Sequence, residues 1–239
     1  MSEGLRILLT TDAVGGVWTY SLDLARSLSR LGLEPLLAVM GPSPSPSQAL
    51  AARAAAASVI DTGLPLDWTA QGPAELTRAA RRLARLAEEI GADLVQLHTA
   101  ALAGQSAFAV PVVAVHHSCV ATWWDAVYAG HPPAEFAWRT DCVRAGLAAA
   151  DAVVTPTAAF GEQVRRVYRL TEAPVTVHNG RSPLPLAPAA PADYAFTAGR
   201  LWDPGKNLAT LDAAAARMRI PLHAAGPVEG PNGARIAFG

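Results

Sequence analysis

The chain alternates short apolar runs of strand length with longer segments of helical period, and this alternation constrains the fold more than any other feature. Most of the runs are apolar throughout, as is typical of parallel strands that are covered on both faces. Strands that alternate with helices predict βαβ units, so the predicted fold class is α/β, with a Rossmann-like parallel sheet flanked by helices. The predicted strands cover residues 5–10, 33–40, 58–60, 93–98, 112–116, 152–155 and 175–177.

Two of the intervening segments carry an apolar stripe with the period of an α-helix. The first stripe consists of Val17, Tyr20, Leu24, Leu28 and Leu31. The second stripe consists of Leu76, Ala79, Leu83, Leu86 and Ile90. Gly32 and Gly91 follow these segments, where a glycine in the left-handed conformation commonly ends a helix. Between the two segments, Ser47 is the predicted cap of an Ala-rich helix.

A proline-rich stretch without either period, residues 182–192, divides the chain and is predicted to be an interdomain linker. Residues 1–181 before it form the predicted N-terminal domain. The pattern restarts in residues 193–239, with strands at 194–198 and 222–225 and a helix at 208–218. Two strands and one helix are too few to bury both faces of a parallel sheet, so this second Rossmann-like unit is predicted to be incomplete.

Composition excludes several classes of protein. A formal net charge of −1 gives no electrostatic footprint for nucleic acid and no polybasic anchor for a membrane. Two cysteines, Cys119 and Cys142, are too few for a disulfide framework, and no His/Cys/Asp cluster has metal-ligand spacing, so we predict no bound metal. No apolar stretch is long enough for a signal sequence or a transmembrane segment, and we expect a cytoplasmic protein.

Paired glycines, Gly15 and Gly16, join the first strand to the first amphipathic helix. Glycines at this place let the backbone approach a ligand closely, and the free amides of a helix N-terminus favour an anion. A dinucleotide site is disfavoured, because the Gly-x-Gly-x-x-Gly spacing is absent and the second strand ends without an acidic residue for a ribose. The alternative is that the glycines only make a tight turn.

Four histidines, His98, His116, His117 and His178, stand at or just past the ends of predicted strands. In an open α/β sheet these ends line the ligand crevice, although a single histidine there is commonly structural. Trp123 and Trp124 follow shortly afterwards, and adjacent residues cannot both face the core from one helix. One of them is a candidate for the wall of an acceptor groove, and packing of both against the domain surface is the alternative.

After the linker, a strand ends at Gly199 and is followed by Arg200 and Lys206 in a loop that opens a helix. Cations at a strand end beside a helix N-terminus suit a diphosphate, whose developing charge they would neutralise when it leaves. The alternative is that both side chains are merely solvated on an ordinary βα loop.

Taken together and in this order, these segments resemble the retaining glycosyltransferases of the GT-B fold, in particular family 4, over nearly the whole chain. The motifs are the Gly-Gly-Val turn at 15–17 with the Leu-Gly helix end at 31–32, the strand ends at 93–98 and 111–118, the segments at 150–157 and 177–180, the Ala-Gly-Arg-Leu of 198–201 with Lys206 and Asn207, and the Ala-Gly-Pro of 225–227.

The resemblance implies transfer of a sugar from a UDP- or GDP-sugar to a glycan, lipid or small-molecule acceptor, with retention of configuration and without cofactor or obligatory metal. It implies that Gly15 and Gly16 lie against the donor phosphate or sugar, and that Arg200 and Lys206 hold the diphosphate. His117, or else His116, would stand beside the transferred sugar, with His117 favoured because Ser118 and Cys119 follow it. His98, Trp123 and Trp124 are the candidates for the acceptor groove. Peripheral membrane contact stays compatible with this assignment.

The sequence departs from the family beyond Lys206, where members carry a spaced pair of glutamates that hold the donor, whereas here Glu229 is the sole glutamate. From this departure we expect a C-terminally truncated chain that binds donor weakly and turns over little or no substrate. A non-catalytic acceptor-domain fragment and a sugar-nucleotide epimerase of the same fold remain the alternatives.

Overall fold

A computed structural model describes residues 4–55, 57–128, 132–183, 190, 192–229 and 235 of the chain. These residues belong to two compact units. The first unit comprises Met1–Asp125 and Gly130–Pro183, and the second comprises Ala126–Ala129 and Leu184–Gly239. Residues 184–189 and 191 of the predicted linker lie outside the described residues.

The first unit is built on one parallel sheet of seven strands, as the predicted α/β class requires. All seven predicted strands are present, with no end moved by more than two residues. Along the sheet the strands are ordered β3-β2-β1-β4-β5-β6-β7. Their bounds are Arg6–Asp12 (β1), Glu34–Met40 (β2), Ser58–Asp61 (β3), Leu94–Leu97 (β4), Val112–Val115 (β5), Ala152–Thr155 (β6) and Val175–Thr176 (β7).

Seven α-helices are described, and short 3-10 helices supplement them at Ala100–Gln105, Ala134–Phe136 and Pro204–Lys206. The α-helices are Gly16–Arg30 (α1), Pro46–Ala54 (α2), Pro73–Glu89 (α3), Val120–Val127 (α4), Ala137–Ala149 (α5), Ala158–Tyr168 (α6) and Leu208–Ala215 (α7).

Apolar layers cover both faces of the seven-stranded sheet. Ile7 and Leu9 of β1 pack in the layer of α1 and α2. Leu8, between them, packs in the opposite layer, which α3, α5 and α6 supply. Successive side chains of a strand point to opposite faces, so a continuously apolar run buries itself on both sides. This accounts for the unbroken apolar runs of the sequence.

The predicted apolar stripe of α1 is only partly buried, with Leu24 and Leu28 at the border of the core, whereas that of α3 is largely buried. The buried residues of α1 are Trp18, Ser21, Leu22 and Ala25. Leu31, which belonged to the predicted stripe, is 77% exposed. The true stripe is rotated from the predicted one by roughly 100°, the angle of one helical position. Two of its four residues, Ser21 and Ala25, are small, so hydropathy alone did not select this face.

The predicted glycine ends are confirmed, but the predicted serine cap is wrong. Gly32 and Gly91 have φ angles of 81° and 61°, in the left-handed region. The cap of α2 is Ser45, not Ser47. The Ser45 hydroxyl accepts from the backbone N–H of Gln48, whose side chain accepts from the N–H of Ser45. This reciprocal pair satisfies two amides at the helix start, which a cap at Ser47 would leave open.

The described part of the second unit contains a parallel pair of strands, Ala195–Ala198 (β8) and Leu222–Ala225 (β9), and the helix α7. The helix ends at Ala215, three residues before the predicted end. Gly226 follows β9 with a φ of 140°, and a Cβ there would collide with the carbonyl oxygen of Gly199. Glycine therefore lets the two strand ends approach each other closely.

Gly146 permits a second close approach, between α5 and the 3-10 helix Ala100–Gln105. A Cβ at Gly146 would collide with the carbonyl oxygen of Ala100. A Cβ at Gly104 would likewise lie 2.7 Å from the carbonyl carbon of Ala145. At both glycines, the backbones of the two helices are in direct contact.

Gly146→Ala tests this contact because two effects of opposite sign compete. Helix propensity alone would stabilise the protein by up to about 1 kcal/mol. The backbone collision is expected to prevail and to lower the free energy of unfolding by about 1–3 kcal/mol, measured by urea denaturation. Gly180→Ala, at a position where a Cβ meets nothing within 4 Å, is the control and should change stability by no more than about 0.5 kcal/mol. A Gly146→Ala protein as stable as the wild type would contradict the prediction.

Candidate functional site

Three neighbouring strands, β1, β4 and β5, end at the same edge of the sheet. β1 ends at Asp12, His98 follows β4 directly, and His116 and His117 follow β5. Ligands of open α/β sheets bind at this carboxyl edge. The fold thus gathers three of the four strand-end histidines at one place. His178 lies apart from them, past the edge strand β7, with Nδ1 3.0 Å from the carbonyl oxygen of Pro156.

The turn that carries the paired glycines is held by a buried carboxylate. Asp12 is only 7% exposed. Its Oδ1 accepts hydrogen bonds from the backbone N–H groups of Val14 at 2.8 Å and Gly15 at 2.9 Å. An aspartate that binds amides two and three residues ahead stabilises a turn without requiring glycine in it. The shape of this turn is therefore set by Asp12.

Neither Gly15 nor Gly16 is required by the fold itself. Gly15 has an extended backbone with φ of −140°, and Gly16 is the first residue of α1. A Cβ added to either residue would meet no atom within 4 Å. Neither backbone strain nor packing accounts for the glycines, which speaks against the tight-turn interpretation. Open space in front of a helix N-terminus is what close approach of a ligand needs.

His116 lies on the face of the sheet that carries α5 and α6. Val112 and Ala114 of β5 pack in that layer, and the alternation of the strand places His116 there as well. Its side chain is fully buried, and its ring stacks on Phe160 with centroids 5.8 Å apart. Burial lowers the pKa of His116 to about 4. Neither ring nitrogen has a hydrogen-bond partner among the described residues.

His117 points to the opposite face, toward α1. It is half-buried, and its ring meets the ring of Tyr20 edge-on, with centroids 4.7 Å apart. Burial, reinforced by His98 and His116 and opposed by Asp12, lowers the pKa of His117 to about 4. At neutral pH the imidazole is uncharged. It is therefore suited to a hydrogen bond with a hydroxyl and not to pairing with a phosphate.

His98 is buried and already engaged. Its backbone N–H donates to the hydroxyl oxygen of Thr10 at 2.9 Å, and its Nδ1 lies 2.7 Å from the same oxygen. Burial lowers its pKa, while Asp67 and Asp12 oppose the effect. These contacts make His98 a link between β1 and β4, and its role in an acceptor groove stays a prediction.

The two tryptophans lie on α4 and are both half-buried. Their ring centroids are 6.2 Å apart in an edge-on arrangement, and the ring of Trp124 lies 6.1 Å from that of Phe136. Both of these ring contacts lie within the first unit.

The helix that carries the tryptophans is fastened to α6 on both sides of the pair. The Gln163 side chain donates to the backbone carbonyl of Thr122 at 2.9 Å and to the Asp125 carboxylate at 3.0 Å. Arg166 donates to both oxygens of Asp125, at 3.1 and 2.7 Å. The hydrogen bonds from Arg166 and Gln163 lower the pKa of Asp125.

In the second unit, Arg200 is oriented by Asp203. The guanidinium donates to Oδ2 of Asp203 at 2.9 Å and lies over the ring of Trp202. Asp203 is 8% exposed, and its Oδ1 accepts from the backbone N–H of Gly205 at 2.9 Å. One carboxylate thus shapes the loop and holds the arginine.

Lys206 is exposed and passes beside Gly199, where a Cβ would lie 3.4 Å from its side chain. Within the described residues no carboxylate forms an ion pair with it. It is also the sole lysine of the chain, since the other 18 of the 19 basic residues are arginines.

Sequence reasoning missed three residues that organise these sites: Asp12, Tyr20 and Asp203. Asp12 and Asp203 each precede a glycine by two or three residues, a pattern typical of Asx turns, and that signal could have found them. Tyr20 was assigned to an apolar stripe, and no local pattern distinguishes it from a core residue.

In the described part of the chain, no group of three or more His, Cys, Asp or Glu side chains is arranged to hold a metal ion. None of the described helices combines the length and apolar character needed to cross a membrane.

Residues 14–182, more than half of the chain, match the sequence family Glycosyltransferase Family 4. No curated protein matches the chain in sequence. Among solved structures, sucrose-phosphate synthase from Thermosynechococcus elongatus is 16% identical with a TM-score of 0.65, over 95% of this chain and 63% of its own. A glycosyltransferase from Rickettsia africae is 15% identical with a TM-score of 0.59, over 92% and 59%. LpCGTa, solved in complex with UDP, is 16% identical with a TM-score of 0.56, over 92% and 65%.

At these identities the likeness shows the fold, which is that of GT-B glycosyltransferases. The chain spans about three fifths of the length of these structures.

The buried histidines predict a loss of stability in acid. His116 titrates near 6.5 when unfolded and at about 4 when folded, so between these values only the unfolded chain takes up a proton. The stability contributed by neutral His116 is complete above about pH 6.5 and is lost as the pH falls toward 4. The difference between the two pKa values corresponds to about 3 kcal/mol in the free energy of unfolding.

His116→Phe removes this titration while keeping a ring to stack on Phe160. Urea unfolding at pH 7.5 and 4.5 should show that the variant loses about 2–3 kcal/mol less than the wild type over this interval. His223→Gln, a change at an exposed position in the second unit, serves as the control and should retain the wild-type loss. Parallel pH profiles for His116→Phe and the wild type would exclude the assignment.

Proposed function

This chain belongs to glycosyltransferase family 4, and we propose that it transfers a sugar from a UDP- or GDP-sugar to an acceptor hydroxyl with retention of anomeric configuration. The observation that carries the proposal is the open space in front of Gly15 and Gly16, which neither strain nor packing explains. A pair of glycines left free by the fold suits close approach of a substrate group. The UDP complex of LpCGTa supports a nucleotide as part of that substrate.

In the first unit, we assign His117 to the acceptor. The reaction breaks the bond between the sugar and the diphosphate and forms a bond to the acceptor oxygen, whose proton passes to an oxygen of the departing diphosphate. A neutral imidazole with a pKa of about 4 is a weak base at neutral pH. Its role is therefore to accept or donate a hydrogen bond that orients the hydroxyl. The complete burial of His116 favours His117 over it.

In the second unit, we assign Arg200 and Lys206 to the diphosphate. The guanidinium of Arg200 is held by Asp203 at 2.9 Å, so its direction is fixed before a ligand arrives. Preorganised cations at a leaving group stabilise the charge that develops on it without reorganisation. Lys206 adds a compact, mobile charge.

The acceptor is proposed to be a glycan, a lipid or a small molecule that contacts the surface of α4 around Trp123 and Trp124. The fastening of α4 by Gln163 and Arg166 supports this choice, because a rigid support suits a binding surface. We also propose a cytoplasmic location, which the free thiols of Cys119 and Cys142 support.

Gly16→Val tests the glycine turn. Because a side chain there meets only open space, the free energy of unfolding should stay within about 0.5 kcal/mol of the wild type. The affinity for UDP-glucose or GDP-mannose, measured by isothermal titration, should fall at least about tenfold, because the side chain occupies the space of the ligand.

Gly72→Val is the matched control, since Gly72 also precedes a helix and faces open space. It should bind the same donors as the wild type does. Because donor binding by this chain is expected to be weak, failure of the wild type to bind any UDP- or GDP-sugar even at about 1 mM would reject the proposed function. Consumption of the donor without an acceptor, or an inverted product by NMR, would favour an epimerase or an inverting enzyme instead.

Lys206 offers a direct test of the diphosphate assignment. Because it is the sole lysine, amine acylation labels only Lys206 and the N-terminal amine. UDP or GDP at about ten times its Kd should slow acylation of Lys206 about tenfold, as measured by peptide mass spectrometry. The N-terminal amine is the internal control and should react at an unchanged rate. Equal labelling of Lys206 with and without either nucleotide would refute its role.

A further inference from the structure

Tyr20, on the second turn of α1, contacts His117, the histidine that we assign to the acceptor. We infer that Tyr20 is a positioning residue that holds the ring of His117 in one orientation for sugar transfer, and this role rests on the proposed function of His117. Nothing in the family match or in the sequence pattern assigns Tyr20 a part in the site.

The contact itself has a defined geometry. The ring planes of Tyr20 and His117 stand at 71° with centroids 4.7 Å apart. Edge-on aromatic pairs of this kind attract each other through the positive ring edge and the negative ring face, so one relative orientation is preferred. Rotation of the His117 ring out of its present plane would break the contact. Tyr20 therefore acts on the plane in which the ring nitrogens lie.

Tyr20 is itself held at both ends. Its backbone belongs to α1, and its hydroxyl interacts with the side chain of Gln96, which lowers the pKa of the phenol against the larger raising effect of burial. Gln96 lies on β4, paired with Leu9 of β1 on one side and with Val113 of β5 on the other. Leu94, two residues earlier, packs in the layer of α1, so Gln96 projects from the same face. The phenol thus lies against the sheet with little freedom to rotate.

The same helix also begins at the glycine turn. Gly16 and Tyr20 are four residues apart on α1, which places them on one side of the helix, one turn from each other. A ligand that contacts the amides of Gly15 and Gly16 would therefore bind one helical turn from the residue that contacts His117. Helix α1 in this way connects the glycine turn to the histidine.

The experiment is an NMR measurement on the full chain with ¹⁵N-labelled histidine. In the wild type, His117 should be neutral and in one tautomer between pH 7.5 and 5. Tyr20→Leu removes the ring, and water then reaches the imidazole. The pKa of His117 should rise by about one unit or more, and the two tautomers should exchange. Tyr20→Phe keeps the ring but loses the interaction of the hydroxyl with Gln96. The tautomers of His117 should then exchange while the ring contact persists.

Tyr194→Leu is the matched control. Tyr194 and His223 form a similar edge-on pair, with centroids 5.2 Å apart, in the second unit. This variant should change the signals of His223 and leave those of His117 as in the wild type. Where the wild type turns over donor in a transfer assay, Tyr20→Leu should lower kcat while KM for the donor is kept, as expected when orientation and not binding is lost.

Wild-type spectra of His117 in both Tyr20 variants would overturn the inference. If Tyr20→Leu fails to fold, a wild-type spectrum of His117 in Tyr20→Phe alone overturns it. The spectra need no turnover, so the two proposals fail separately. Shifted His117 signals in a chain without transferase activity would reject the proposed function and leave the contact as a structural one.

Discussion

The parallel pairing of β1, β4 and β5 is the constraint on which the candidate site depends. Parallel strands that are neighbours in a sheet end at one edge, so residues separated by about a hundred positions in sequence meet there. Asp12, His98 and His117 come together for this reason. The alternation of side chains then divides the two consecutive histidines, placing His116 in the core and His117 beside α1. A shift of β5 by one residue would exchange the two.

In the two loops that carry the proposed ligand contacts, the residues that shape the backbone differ from those that we assign to the ligand. At each loop a nearly buried aspartate accepts the amide hydrogens that fix the turn, Asp12 in the first unit and Asp203 in the second. A carboxylate in such a place is stabilised by these hydrogen bonds, which replace the water it has lost. Gly15 and Gly16 are therefore not needed to shape the first loop.

The sequence predicted the strands well because continuous apolar runs leave few alternatives to parallel strands buried on both faces. It failed at the face of α1, where Ser21 and Ala25 are buried because they are small and not because they are apolar. The histidine doublet shows a different limit. Alternation requires His116 and His117 to point in opposite directions, but only the packing of Phe160 and Tyr20 decides which direction each takes. The role of Tyr20 depends on Gln96 from a distant strand, and no local pattern reports such a contact.

The fastening of α4 has a consequence for how such a protein can diversify. The anchor uses the backbone carbonyl of Thr122 and the carboxylate of Asp125, the two residues that flank the tryptophans, so it does not depend on the indole rings. Substitutions at Trp123 and Trp124 therefore leave the anchor in place. The tryptophans of the surface that we assign to the acceptor can therefore be replaced without loss of the anchor. Acceptor preference can change in this way while the sheet and His117 stay unchanged.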